Sequence, residues 1–466
     1  MARPITEQER QAAGELLRNA RAAMQEIEGY GQERVDRLCR AVAWATANMD
    51  TATRLANMSV DESGMGGRAP TRRAKVLGIL RDALRQKSMG AIEEIPEKGI
   101  VKYAKPAGVV AALIPVTSPY VTPAGMAIYA IKCKDAVIFC PHPASRKTTN
   151  ETVRVMRAAL KKLGAPEDVL QCVEAPSIPL AQEMMAICDV TMATGGPAMV
   201  RAAYSSGKPA FGVGAGNATM VIDETADVEG AARNTRISKT NDNGSGCSAD
   251  GNLLVDSSIY DAFLAQLQKE GGYVVNEKEK ALLQAAYWDA EGHRTPATIA
   301  RSAEAVSKLA GFSIPAGKTF LVVPEEHIGK QYLFSTEKLG IVVAIFKYAG
   351  WNQALDMVRQ VFETGGKGHS CGIYSYNDEH VHQLALVAPV SRIMVRQPQS
   401  ASNAGTFTNG MPMTSSMGCG IWGGNSTNEN VSLKHYMNVT WVSRPIPEDR
   451  PSDEELFGEF YNSEAF

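Results

Sequence analysis

Cys247 stands in the run NDNGSGCSAD, where Asn241 to Gly246 are polar or small and Ser248 follows. A thiol in such a turn is open to substrate and close to backbone N–H groups, which lower its pKa and later hold an oxyanion. On residue types alone it reads either as a nucleophile or as a surface cysteine. The other seven cysteines, at 39, 133, 140, 172, 188, 371 and 419, lie in apolar or mixed surroundings and read as buried small hydrophobes. No histidine neighbours Cys247 in sequence, so a thiol–imidazole pair needs His369 of GHSCG, which reads equally as a structural residue. Two turns follow apolar runs. TGG, Thr194 to Gly196, precedes PAMVRAAYSS with Pro197 in a first-turn position. Its backbone N–H groups either approach a phosphate or merely connect strand to helix. PHP, Pro141 to Pro143, either presents His142 to a ligand or ends its strand.

No CxxC pair is present, which fits neither a disulfide framework nor a zinc ribbon, so no metal centre is expected. Scattered thiols point to a reducing compartment. The 466 residues carry 48 Lys+Arg against 50 Asp+Glu, a formal net charge of −2. That balance argues against nucleic-acid and membrane-surface binding, which show basic excess or clustering. The first residues, MARPITEQERQ, have no apolar core behind their basic groups, and the run Gly108 to Val116 is far short of the roughly 20 residues a membrane span needs. A soluble cytoplasmic protein is expected.

The elements that must position these residues show in the periodicity. Leu16, Leu17, Ala20, Met24 and Ile27 recur at helix spacing, and 33–49 and 72–84 repeat the pattern. From Val109 the texture changes to short apolar runs alternating with amphipathic stretches: GVVAALIPV, AVIFC (136–140), VLQCV (169–173) and VTMATGG (190–196). A second series holds TMVID (219–223), GNLLVD (251–256), TFLVVP (319–324), IVVAIFKY (341–348), CGIYS (371–375) and SRIMV (391–395). Strands alternating with helices predict βαβ units and a mostly parallel sheet in each of two α/β units, with a boundary near GVGAGN (212–217). The tail IPEDRPSDEELFGEF reads as a solvated extension.

Several segments together resemble the CoA-acylating branch of the aldehyde dehydrogenase superfamily, which includes acetaldehyde, succinate-semialdehyde and sulfoacetaldehyde dehydrogenases. They are GVVAALIPVTSPYVTP, IFCPHP, ATGGPAMVRAAYSSGKPAFGVGAGN, SKTNDNGSGCSAD, STEKLGIVVAIFKY, GKGHSCGIYS and MGCGIWGGNSTNENVSLKHYMNVT, in order from about residue 105 to 440. The resemblance implies an α/β fold with a Rossmann-like cofactor domain (1–98 and 106–215), an α/β catalytic domain (216–428) and a small β oligomerisation element with the C-terminal tail (99–105 and 429–466). In that element the strand near Gly99 to Lys105 would pair with MNVTWVS (437–443) and build a homodimer or homotetramer. Cys247 is then the nucleophile that attacks an aldehyde, gives up hydride to a nicotinamide and leaves a thioester for coenzyme A. Ser118 lies beside the reacting carbonyl, and His369 has an acid/base or CoA-positioning role unless it is structural. Glu337 matches the carboxylate on the nicotinamide ribose. Gly195 and Gly196 match the turn at the pyrophosphate, and Pro115, Thr117, Thr194, Gly212 and Gly214 complete the cofactor set.

The departures from the pattern carry information. Hydrolytic relatives place a Glu that activates water where this chain has Gly212, thirty-five residues before Cys247. Without that base the thioester waits for a thiol, which favours the acylating outcome. PVTSP has Ser118 where an Asn usually donates to the oxyanion, and a hydroxyl gives one hydrogen bond only. CSAD places Asp250 and Gly251 where Glu-Gln is common, and nothing in the sequence gives this a mechanism. At the adenosine ribose, hydrolytic members have Lys and Glu where this chain has His142 and Ser145. Arg146 and Lys147 follow, and they either meet a 2′-phosphate or point to solvent. NADP is the expected cofactor, with NAD as the alternative. Bulky apolar residues usual before the nucleophile are Ser245 and Gly246, and a usual aromatic is Asn241. SASNAG adds Ser402 and Asn403 on the loop matching the substrate entrance. Polar groups there either hold the loop or suit a small anionic aldehyde, with sulfoacetaldehyde ahead of succinate semialdehyde and acetaldehyde. Arg236 and Arg396 are the candidate partners for the charge. The competing functions are a hydrolytic aldehyde dehydrogenase and a non-catalytic nucleotide-binding scaffold.

Overall fold

The computed structural model describes residues 3–461. Every apolar run read as a strand from the sequence is one, and the runs buried on both faces suit parallel strands between helical layers. A five-stranded parallel sheet is built from β3 (Val109–Ile114), β4 (Ala136–Pro141), β5 (Leu170–Cys172), β6 (Val190–Thr194) and β7 (Ala210–Val213). A three-stranded antiparallel sheet, preceding it in the chain, has β1 (Gly90–Ile95) and β2 (Ile100–Pro106). The third is a seven-stranded parallel sheet of β8 (Thr219–Ile222), β9 (Asn252–Asp256), β10 (Gly272–Val274), β11 (Phe320–Pro324), β12 (Val342–Tyr348), β13 (Cys371–Tyr374) and β14 (Ile393–Val395). β15 (Met437–Ser443) completes the antiparallel sheet by pairing with β2, Thr440 opposite Tyr103.

All six residues of β3 and of β4 are buried, and the helix Val121–Cys133 is buried along its whole length between sheet and outer helices. The N-terminal helix Glu7–Ile27 is fixed at its start by a capping box between Thr6 and Glu9. In the five-stranded sheet the order is β5-β4-β3-β6-β7, so the order reverses between β3 and β6. Ligands of open α/β sheets bind in the crevice beyond the carboxyl ends of the strands at such a reversal. The seven-stranded order is β10-β11-β12-β9-β8-β13-β14. Among the described residues no helix is long and apolar enough to cross a membrane.

Candidate active site

Sequence position explains how distant residues meet. Pro115, Thr117 and Ser118 leave β3, His142 leaves β4, and Thr194 to Gly196 leave β6, all at carboxyl ends of the five-stranded sheet. Gly216, Cys247, Glu337 and His369 precede β8, β9, β12 and β13, so a parallel sheet gathers them at its amino end. The two ends line one cavity of about 370 Å³. Of the residues singled out from the sequence, Pro115, Thr117, Ser118, His142, Thr194, Gly195, Gly196, Gly214, Asn241, Ser245, Gly246, Cys247 and Glu337 line it.

Cys247 follows a tight turn in which Asp242 and Asn243 adopt left-handed backbone conformations. Its Sγ lies 3.0 Å from His369 Nε2. The histidine is fully buried, its Nδ1 is 2.9 Å from the Ser370 hydroxyl, and its carbonyl accepts from Arg392. Burial, with Arg392 beside it, pushes the imidazole down to about 3, and burial, with Glu337 beside it, pushes the thiol up to about 12. Both shifts leave the proton on sulfur, so the pair rests as a neutral thiol and a neutral imidazole. Two glycines make the approach possible. A Cβ at Gly216 would stand 1.9 Å from the Cys247 carbonyl oxygen, and one at Gly368, whose φ is +81°, 1.8 Å from that of Cys419.

Glu337 is the only carboxylate among the described residues lining the cavity. Its Oε1 accepts from the Gly216 N–H at 3.1 Å and its Oε2 lies 3.3 Å from Arg294. Burial raises its pKa against the opposing pull of Arg294. Gly212 sits inside β7, where its N–H donates to the Tyr204 hydroxyl at 2.8 Å, and it is not part of the lining. A Cβ there would meet Val200 at 2.6 Å, so the position holds no longer side chain without rearrangement.

The residues present fit a dinucleotide. Gly196 caps the helix Pro197–Tyr204 without a side-chain hydrogen bond, and a Cβ on it would find nothing within 4 Å. The turn therefore offers bare backbone at a helix N-terminus. Arg294, on the same cavity, keeps a buried Nε with no hydrogen-bond partner among the described residues. The next helix start differs. At Arg146–Lys162, the Glu62 carboxylate already accepts from the backbone N–H groups of Lys147 and Thr148. Ser145 is buried, and the Arg146 and Lys147 side chains are exposed and form no ion pair among the described residues.

The substrate-entrance expectation needs correcting. Ser402 and Asn403 are buried behind the lining, and their neighbours Ser400 and Ala404 face the cavity, because the short helix Gln399–Ser402 rotates successive side chains by about 100°. Arg236 is paired with Glu270 and Arg396 lies over the Tyr376 ring, so neither lines the cavity. The cations that do are Arg72, Lys75 and Arg294. Asp250 has a structural account that its sequence lacks. It is fully buried, its Oδ1 accepts from Gln399 Nε2 at 2.8 Å, and it ties the cysteine loop to the helix Gln399–Ser402.

A nucleotide-type crevice here meets a unit carrying a half-buried thiol against a buried imidazole, the frame of a cysteine-dependent, nucleotide-using enzyme, and the chain belongs to the aldehyde dehydrogenase family. That family's profile matches residues 3–280. The chain is 44% identical over 452 residues to a sulfoacetaldehyde dehydrogenase of an Acholeplasma species, covering 95% of this chain and 93% of the other. It is 40% identical over 456 residues to an acylating sulfoacetaldehyde dehydrogenase of Bilophila wadsworthia, covering 96% and 98%. An acetylating aldehyde dehydrogenase structure from Geobacillus thermoglucosidasius superposes with a TM-score of 0.90 at 33% identity, covering 96% of this chain and 99% of that one.

Proposed function

We propose that this protein is a CoA-acylating aldehyde dehydrogenase that converts a small anionic aldehyde, sulfoacetaldehyde before others, into its acyl-CoA with reduction of NAD(P). The observation that carries the reading is Cys247 Sγ at 3.0 Å from a neutral His369, with no carboxylate at position 212 to activate water. His369 Nε2 takes the thiol proton as Sγ bonds to the carbonyl carbon. Ser118 and the Cys247 backbone N–H meet the charge that develops on oxygen. When bound, the nicotinamide supplies the two-electron acceptor for the hydride leaving that carbon, and the acyl group remains on Sγ as a thioester. The first proton passes from His369 to solvent. The imidazole then accepts the proton of the CoA thiol while the CoA sulfur bonds to the acyl carbon, and Cys247 Sγ departs and recovers that proton. Each turnover consumes aldehyde, CoA and oxidised cofactor and yields acyl-CoA, reduced cofactor and one proton.

In the cofactor choice, exposed Arg146 and Lys147 favour NADP over NAD, since Glu62 already occupies the adjoining helix start and leaves phosphate recognition to side chains. A homodimer or dimer of dimers is supported by the three-stranded sheet, where Val439, Trp441 and Val442 are exposed on β15. Eight unpaired cysteines suit a reducing, cytoplasmic setting. One spectrophotometric assay tests the function: cofactor reduction with aldehyde, with and without CoA. CoA-dependent reduction is expected. CoA-independent turnover would instead mean a hydrolytic enzyme, and no reduction with any aldehyde would mean a non-catalytic scaffold.

A further inference from the structure

We infer that Arg72 and Lys75 form the subsite that holds the anionic end of the aldehyde. The two belong to one turn, Arg72 capping the helix Arg73–Leu84 and Lys75 in its first turn, and both line the cavity that Cys247 lines. Arg72 is fixed from three sides. Its Nη1 donates to the Thr117 carbonyl at 2.9 Å, and its Nη2 reaches the Ser245 hydroxyl and, at 2.7 Å, the Asp242 carboxylate. Lys75 Nζ donates to the carbonyls of Gly405 at 2.9 Å, Ala404 at 3.2 Å and Ala401 at 3.4 Å, so it is held by neutral acceptors alone and has no carboxylate partner among the described residues.

Charge counting then separates the two ends of the cavity. At the cofactor end Glu337 and Arg294 neutralise each other. At this end two cations line the cavity, Arg72 is paired with Asp242, which is outside the lining, and Lys75 is left without a counter-charge. Burial, with Arg72 beside it, lowers Lys75 to about 8, as befits an ammonium short of counter-charge. A half-buried ammonium held only by carbonyls lacks a counter-charge until something supplies one. A substrate anion does so at the moment of binding. Placement selects the substrate's tail over a cofactor phosphate, because Arg72 touches Ser245, two residues from the nucleophile. In sulfoacetaldehyde one methylene separates the sulfonate from the carbonyl carbon. The Lys75 ammonium and the Arg72 N–H groups not spent on Thr117, Ser245 and Asp242 suit its oxygens.

The inference rests on the acylating reading, and the test keeps the two apart. CoA-dependent kcat/KM is measured for sulfoacetaldehyde and for neutral propionaldehyde in wild type, Lys75→Met, Lys75→Arg and Arg72→Gln. Loss of a charge-assisted contact should lower the sulfoacetaldehyde-to-propionaldehyde ratio about tenfold to a hundredfold in Lys75→Met and Arg72→Gln, and Lys75→Arg should recover most of it. Calorimetric titration with ethanesulfonate in a Cys247→Ala background reads the subsite without turnover, and adding Lys75→Met should weaken that binding by a similar factor. An unchanged ratio in Lys75→Met together with undiminished ethanesulfonate binding overturns the subsite and leaves the acylating reading standing. No CoA-dependent reduction with any aldehyde overturns the reading, and the subsite with it.

Discussion

Burial gives the two groups at the reaction centre opposite shifts, lifting the Cys247 thiol to about 12 and dropping His369 to about 3. A thiolate–imidazolium pair formed in advance would alkylate readily at neutral pH, whereas this thiol gains thiolate only as pH climbs. Iodoacetamide labelling of Cys247, followed by mass spectrometry, should therefore accelerate about tenfold per pH unit from 7 to 9. A plateau near pH 7 would show that the pair is ionic at rest. Cys247→Ala should lose essentially all CoA-dependent reduction. His369 also makes the fold acid-sensitive. Its folded pKa lies below the ordinary 6.5, so the unfolded chain binds the proton first and stability falls as pH drops from 6.5 toward 3. Between pH 6.5 and 5 this amounts to about 2 kcal/mol, and urea unfolding of His369→Gln should show a pH dependence shallower by that amount. Cys247 was legible because its polar, small neighbours differ from those of every other cysteine. Arg72, Lys75 and Arg294 were not, since they arrive from segments remote in sequence and carry no spacing that marks them.

Elements explain why some of the site could be read and some could not. Long apolar runs such as that of β12 announce themselves, and with parallel pairing they fix which loops share an end of the sheet. β7 and β10 are no shorter than β8 and β14, which were read, but a glycine falls in each (AFGV and GYV) and leaves no apolar run of the usual length. The register of a loop is harder still. SASNAG was read as offering Ser402 and Asn403, and one helical turn presents Ser400 and Ala404 instead. The close approach of the segment before β8 to the cysteine turn was also invisible, because it depends on a missing atom. Gly216→Ala would press a methyl against the Cys247 carbonyl, and overpacking of this kind typically costs about 1–3 kcal/mol. The expected result is a fall in kcat of on the order of a hundredfold, measured in the CoA-dependent assay, because the loop carrying Sγ must shift. Wild-type kcat in that variant would mean the two segments slide apart freely.

At the scale of the whole molecule, the antiparallel sheet stands apart from the cores. Six of the seven residues of β15 are exposed, so both of its faces are open in a single chain. Trp441→Glu with Val439→Lys should shift the protein to monomer in light scattering at micromolar concentration, and retention of the wild-type mass would place the interface elsewhere. The pairing of β2 with β15 has a consequence for biosynthesis. β2 leaves the ribosome more than three hundred residues before its second partner, which at roughly 5–20 residues per second is an interval of tens of seconds. Throughout it, one edge of β2 is an open template for any neighbouring nascent chain. Lys102 and Lys105 put charge on that strand, a common deterrent to edge-to-edge pairing. Once β15 arrives, the Lys102 ammonium lies 4.3 Å from the centre of the Trp441 ring. The residue that guards the strand during translation becomes part of the contact that closes it.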